Sequence, residues 1–305
     1  ALTKFITPQK TKVHYSIETN ATLLTNDVIE ELYKNHIGIG ISIDGDRKCH
    51  DLQRTFVSGK GSYDTVKKNL LQAQRYYKNK IGTITTITKQ TAVHIEKIIE
   101  HLVLDLHISN IKLNFVHAST YTHGQNQCLN TQEIADTELR ILYKIIELQE
   151  RGYDVMEHNI FIKLKNLLFR EYADICLSCG CCGGEKMIVF DMDGNIYPCE
   201  LTDDASFVIG SIYKKESLIE QIKMTIDKDK AFFKMKKAVE CEKCYWKFFC
   251  RGGCTVRALS EKRQMEVIDI DHIECAINQV LYPALMELVL RKPHIVNQML
   301  GEDLL

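Results

Sequence analysis

The 305-residue chain lacks most of the features that announce a function early. It has no excess of either charge: 39 basic side chains stand against 40 acidic ones, a formal net charge of −1. No basic stripe and no acidic tail breaks that balance, which argues against a nucleic-acid partner. No apolar run approaches the length of a membrane span, so no membrane partner is expected. There is no signal peptide, internal repeat or low-complexity stretch. The histidines, among them His50, His117 and His123, show no His-x3-His pairing and read as surface or satisfied core residues. A hydrophobic content of 45% excludes a disordered chain.

Cysteine is abundant. There are twelve, and ten lie between residues 176 and 275. Four form one run, Cys241-x2-Cys244-x5-Cys250-x3-Cys254, and Cys275 follows. Upstream, Cys199 ends the segment Gly194 to Cys199, and Cys176, Cys179, Cys181 and Cys182 form a knot before it. One segment can wrap an inorganic centre only if its thiolates recur every few residues, so these spacings point to metal or iron–sulfur ligation. A disulfide framework would spread its cysteines across the fold, and nothing suggests secretion; a cytoplasmic protein with reduced thiols is expected. Two structural zinc sites are the alternative, because Cys-x2-Cys pairs serve zinc equally well. Cys49 and Cys128 stand alone and read as inert thiols.

The first half alternates strand-like and helix-like segments. Strands are expected at 13–19, 37–43, 83–88 and 111–116. Helices are expected from Thr25, from Ser62, and over Ala92 to Leu104. Such alternation implies parallel strands with right-handed crossovers, in a partial barrel or a doubly wound sheet. From Gln132 to Arg170 the pattern is helical. A hairpin is expected at Asp191 to Asn195 and one amphipathic helix over Ile273 to Leu290. The domain boundary is expected near residue 172, with a strand–helix domain over 1–172 and a cysteine-rich domain over 173–305.

With the cysteine run and Ser42-Ile43-Asp44-Gly45 in view, the chain resembles the radical S-adenosylmethionine (SAM) enzymes of the SPASM type. These include anaerobic sulfatase maturases and maturases of ribosomal peptides. The family signature is a Cys, then Gly-x4-Cys, then Cys-x2-Cys-x5-Cys-x3-Cys, then a distant Cys. Cys182, Gly194 to Cys199, Cys241 to Cys254, and Cys275 supply it in order. Thr19 to Thr25 resembles the family's Thr-Asn-Gly-Thr strand end, with Ala21 in place of the glycine. His50 to Arg54 and Gly59 to Tyr63 resemble the loop after the next strand. The Cys-x3-Cys-x2-Cys motif that holds the SAM-cleaving cluster is not among these residues. Because that motif would lie upstream of Ala1, an N-terminally truncated sequence is expected, inactive in SAM cleavage by itself; natural loss of the chemistry is the alternative.

The resemblance implies an α/β fold, a partial radical SAM (β/α) barrel followed by a cysteine-rich SPASM domain with two auxiliary [4Fe-4S] clusters. Cys241, Cys244, Cys250 and Cys275 would hold the second cluster. Cys254 would join Cys199, Cys182 and Cys176 at the first, with Cys179 and Cys181 as competitors. Ser42 and Arg54 would hold SAM, with Asn20 and Asp44 at the same mouth. Glu200 stands where sulfatase maturases carry a general-base Asp. A third cluster, in the part not present, would reduce SAM to a 5′-deoxyadenosyl radical that abstracts hydrogen from a peptide. The implied partners are a precursor peptide or protein and an electron donor such as flavodoxin or ferredoxin. The expected product is a thioether or another carbon-centred crosslink. Formylglycine formation on a sulfatase is the alternative, and a non-catalytic cluster-binding module is the reading from a different class.

Overall fold

In a computed structural model of the chain, the described residues are 13–117, 125–171, 181, 183–184, 186–202, 205–228, 239–260 and 270–301. The chain divides into two compact units. The first comprises Ala1–Ile87, Thr91–Asn114 and Lys144–His158; the second comprises Thr88–Gln90, Phe115–Tyr143 and Asn159–Leu305.

The first unit is built on a five-stranded sheet in the order β1 (Tyr15–Thr19), β2 (Ile37–Ser42), β3 (Gly82–Ile87), β4 (Asn110–Phe115), β5 (Met156–Glu157). β1 pairs with β2, β2 with β3, and β4 with β5, all in parallel. Spatial order follows chain order without a reversal. That is the winding of a barrel segment; a doubly wound sheet reverses its strand order midway. The alternation that marks a half-buried strand is clear in β3, where Thr83, Thr85 and Ile87 are buried and the residues between them are not.

Helices α1 (Asn26–Lys34), α2 (Arg47–Gln53), α3 (Tyr63–Tyr77) and α4 (Ile95–Glu100) connect the first four strands. Thr25 caps α1 by accepting the Val28 N–H, as its sequence position suggests. Ile29 is the buried anchor of α1, whereas Val28 and Tyr33 are exposed. In α3 the buried stripe runs through Val66, Leu70, Ala73 and Tyr77, and Leu71 lies outside it. Ser62 sits at the cap position of α3, but its hydroxyl is engaged elsewhere; the Tyr63 N–H is taken by Asp51 Oδ1 at 2.9 Å.

Two expectations are corrected here. The single helix over Ala92 to Leu104 is broken at Val93–His94, between a turn at Lys89–Ala92 and α4. The helical stretch from Gln132 to Arg170 is two helices, α5 (Thr131–Glu150) and α6 (His158–Phe169), with β5 between them. Gly152, at φ +85°, ends the first, and a two-residue strand is too short to carry a periodic signal.

The second unit is less regular. A three-stranded antiparallel sheet joins β6 (Val189–Phe190), β7 (Asn195–Tyr197) and β8 (Gly210–Ser211), and the expected hairpin turns at Gly194. Helix α7 (Leu218–Lys228) follows. The short helices α8 (Lys247–Cys250) and α9 (Thr255–Ser260) lead to α10 (His272–Arg291) and α11 (Pro293–Leu300). By length and composition alone α10 could cross a membrane, with a mean hydropathy of 1.3 over its best window. That corrects the expectation that no run reaches such a length. Its Ala276, Ile277, Leu281 and Leu285 are buried within the protein, and Glu274 and Asn278 bond to a buried lysine, so α10 is a core helix of this unit.

Candidate functional site

In the first unit the chemistry gathers where β1, β2 and β3 end. Parallel strands deliver their C-terminal residues to one edge, which is where such folds place their sites. Asn20 follows β1, and its side-chain oxygen accepts from the Thr22 N–H (3.1 Å) and hydroxyl (2.9 Å), fixing a tight turn. Ala21 in that turn adopts φ +56° and is fully buried. This is the conformation for which the family carries glycine.

Asp44, two residues beyond β2, is only 1% exposed. Its carboxylate takes Arg54 Nε at 2.7 Å, Arg54 Nη2 at 3.3 Å, Gln53 Nε2 at 3.0 Å and the Thr86 N–H at 2.9 Å. Asp44 therefore ties β2 to β3 and aims Arg54. The outer edge of that guanidinium, Nη1 and one Nη2 hydrogen, is not used by this pair, and the Arg54 side chain is part-exposed. Ser42 is half-buried at the end of β2, and no partner among the described residues engages its hydroxyl.

His50 completes this network. Its Nδ1 accepts the Asp44 N–H at 3.2 Å, so its Nε2–H donates to Ser62 Oγ at 2.9 Å, and that hydroxyl donates to the Arg54 carbonyl at 2.9 Å. Burial lowers the His50 pKa and keeps the ring neutral. Gln53 and His50 fall inside the segment His50 to Arg54 that resembles the family loop, but the resemblance gave neither a role; His50 is a satisfied core residue.

In the second unit the cysteines fall into two sets. None of the nine described cysteines is in a disulfide. Cys176 and Cys182 lie outside the described residues, as does Cys179. Cys199 is 7% exposed, and burial first, then the nearby Cys254, Glu200 and Cys181, pushes its thiol up to about 11. Cys181 and Cys254 are thus each within electrostatic reach of Cys199. Gly183 follows Cys182 in the chain and lies against the Pro198 carbonyl; a Cβ there would come within 2.9 Å of it. The Gly184 N–H donates to the same carbonyl at 2.9 Å. The diglycine therefore brings its strand directly beside Cys199. Glu200 is exposed next to it.

The other set gathers at the start of α10. Burial raises the Cys275 thiol, and the neighbouring Cys244 adds to the effect. Gln279 Nε2 lies 3.7 Å from Cys244 Sγ and also hydrogen-bonds Cys275. Cys250 is half-buried beside Glu274, Asn278 and Lys163. Cys241 shares the turn, its carbonyl accepting the Cys244 N–H at 3.3 Å.

These thiols suit a cluster in a further respect. The Leu201 N–H points to Cys199 Sγ at 3.4 Å and the Trp246 N–H to Cys244 Sγ at 3.4 Å. Backbone N–H groups of Gly252, and of Val256 and Arg257, serve Cys250 and Cys254 in the same way. Amide donors aimed at sulfur stabilise thiolate ligands and set a cluster's potential. Among the described residues no three His, Cys, Asp or Glu side chains converge as they would around one metal ion. A four-iron cluster spreads its thiolates more widely than a single ion does.

The aromatic residues between these cysteines divide into two pairs. Trp246 stacks on Tyr282 at 5.3 Å and Phe249 packs on the same ring at 5.4 Å. Tyr245 and Phe248 are 94% and 72% exposed, so they do not shield a centre.

The parallel sheet followed by a thiol-rich unit defines the class: the fold of the radical SAM/SPASM enzymes. Native anSMEcpe with bound AdoMet and Cp18Cys peptide matches it at TM-score 0.78, with 21% identity, over 91% of this chain and 76% of that one. Streptococcus suis SuiB bound to precursor peptide SuiA matches at TM-score 0.61, with 17% identity, over 83% of this chain and 57% of that one. By sequence the chain is a relative of the cysteine-type anaerobic sulfatase-maturating enzyme of Clostridium novyi (strain NT), 27% identical over 79% of this chain. It spans 64% of that enzyme's length. No protein-family model matches the chain.

Proposed function

We propose that this chain works in a radical SAM maturase, an enzyme that modifies a side chain of a ribosomally made peptide or protein. The observation that carries the reading is the division of the thiols. Cys199 lies near Cys254 and Cys181, whereas Cys275 lies near Cys244 and Cys250 lies beside Glu274, the residue before Cys275, the grouping that two auxiliary clusters would need. In this reading Cys241 completes the second set and Cys182, or Cys176, the first.

SAM bound at the strand-end mouth would supply hydrogen-abstracting chemistry, and the clusters would supply electron acceptance. The chain's own residues bind and orient. Arg54 offers its outer guanidinium edge to an anionic or hydroxyl group, and Ser42 offers its hydroxyl. Asp44 holds Arg54 in place without touching ligand, since its oxygens are taken by the protein. Asn20 fixes the turn beside them. Glu200 carries an exposed carboxylate next to Cys199 and would accept a proton from the substrate. The cysteine-rich part from residue 173 would be the cluster domain, in a cytoplasmic enzyme served by a flavodoxin or ferredoxin. Without the Cys-x3-Cys-x2-Cys motif, these residues alone should not cleave SAM.

A thioether or other carbon-centred crosslink is the preferred product, because Glu200 replaces the Asp of sulfatase maturases and so moves the carboxylate by one methylene; a shift of about 1 Å can cost of the order of 100-fold in rate. Formylglycine formation is the second reading, favoured by the activity named for the Clostridium relative. The test is a cysteine-rich precursor peptide and a Cys/Ser-x-Pro/Ala-x-Arg peptide, each incubated with the enzyme carrying its SAM-cleaving motif, SAM and reductant. Loss of a free thiol with two hydrogens in the first supports the crosslink. A hydrazide-reactive aldehyde in the second supports formylglycine. Neither peptide changing would overturn the maturase reading.

A further inference from the structure

Among the described residues of the second unit, Lys163 is the most buried cation that the proposed chemistry does not use. It projects from α6, outside the cysteine-rich segment, and is 4% exposed. Its Nζ donates to Glu274 Oε1 at 2.5 Å and to Asn278 Oδ1 at 2.7 Å, and lies 5.7 Å from the centre of the Tyr282 ring. Glu274 immediately precedes Cys275 in α10, and Asn278 hydrogen-bonds Cys250.

Glu274 is shared. Its other oxygen takes Arg257 Nη2 at 3.4 Å, and Arg257 pairs with Asp271 at 2.7 Å. Asp271 in turn accepts the Cys254 N–H at 2.7 Å and caps α10 through the Glu274 N–H at 3.2 Å. Two cations and two carboxylates thus form one neutral ladder, buried at Lys163 and Asp271 and part-buried at Arg257 and Glu274. The Arg257–Asp271 end adjoins Cys254, of the first thiol set. The Lys163–Glu274 end adjoins Cys250 and Cys275, of the second.

A buried ion pair that served only to fasten α6 to α10 would be an inefficient device, because well-packed apolar residues do that at least as well. Placement beside sulfur ligands gives the charges another effect. A cation near a cluster favours its reduced, more negative state, and an unpaired carboxylate disfavours it.

We propose that Lys163 is a positioning and potential-setting residue for the second thiol set: it neutralises Glu274 and orients Asn278 toward Cys250, holding the reduction potential of the centre there above the value that an unbalanced Glu274 would impose. This rests on the cluster reading given above.

The experiment is redox titration, followed by electron paramagnetic resonance, of the anaerobically reconstituted 305-residue chain and its Lys163→Met, Glu274→Gln and double variants. Iron and acid-labile sulfide are measured on each. Lys163→Met should lower the midpoint of one of two centres by about 59 mV, tenfold for a one-electron couple. Glu274→Gln should raise it by a similar amount, and the double variant should return near the wild-type value. The other centre should move much less. If Lys163→Met does not fold, the upward shift in Glu274→Gln and its recovery in Lys163→Met/Glu274→Gln, where no buried charge is left unpaired, carry the test. Unchanged potentials in a chain holding iron and sulfide would overturn this proposal and leave the maturase reading standing. A wild-type chain holding neither would remove both.

Discussion

The two units reach order by different means. In the first, five strands in chain order and an apolar core of Ile41, Ile43, Ile87, Leu70 and Ile98 hold the sheet. Asp44 and Arg54 are a polar inset in an otherwise conventional core. In the second, strands shrink to two or three residues, and the Arg257–Asp271–Glu274–Lys163 ladder runs between the thiol sets. A sheet core tolerates the loss of one polar contact as a local matter. A region organised around thiols and buried charge should lose its ligand geometry when one charge is removed.

The sharpest way to break that comparison is to delete one buried carboxylate from each unit. Asp271→Ala takes from Arg257 its closest carboxylate partner and removes both the cap of α10 and the acceptor for the Cys254 N–H. Asp44→Ala strands Arg54. Each should cost about 3–5 kcal/mol, the usual penalty for breaking a buried pair, measured by chemical denaturation of the metal-free chain. Iron retention should separate them: Asp271→Ala loses iron on reconstitution and Asp44→Ala keeps it. Equal retention would mean that the ladder does not organise the thiols.

A smaller effect is expected for Gly253→Ala. Gly253 sits at φ +72°, and a Cβ there would come within 2.8 Å of the Asp271 side chain, which Arg257 and Cys254 hold in place. Overpacking of this kind costs about 1–3 kcal/mol, and the loop carrying Cys254 should bind iron less tightly. A wild-type denaturation midpoint and iron content would contradict the close approach.

Smaller again is a pH effect confined to the first unit. His50 has a folded pKa lowered by burial, so below the unfolded value of about 6.5 the unfolded state binds more protons. Stability should fall as pH drops from about 6.5 toward the folded pKa, by at most about 1.4 kcal/mol per pH unit from this group. His50→Gln should flatten that slope in denaturation curves between pH 7 and 5. The least effect is expected at Ala21. Ala21→Gly relieves the positive φ but gives up a buried methyl and gains unfolded-state freedom, so stability should change by less than about 1 kcal/mol. A β-branched Ala21→Val should destabilise clearly.

The strand–helix alternation of residues 13–117 was readable because apolar and β-branched residues recur at strand and helix periods. β5 was not readable, since Met156–Glu157 makes its two-residue strand through pairing with β4, a long-range contact with no local trace. Cysteine spacing and the family resemblance supplied the expected membership of the thiol sets; of the knot only Cys181 is among the described residues, and it lies near Cys199. Spacing could not give their supports. Lys163 lies 111 residues from Glu274, and nothing near it in the chain marks it as a buried cation. Asp44 shows the converse limit: its place at a strand end suggested ligand contact, whereas its environment assigns it to the protein.

The central claim is that the two thiol sets hold iron–sulfur clusters, and metal analysis tests it most directly. The chain, purified and reconstituted without oxygen, should carry about eight irons and eight acid-labile sulfides, as two four-iron clusters require. About two zincs per chain without sulfide would contradict it, making the cysteine-rich unit a structural zinc domain.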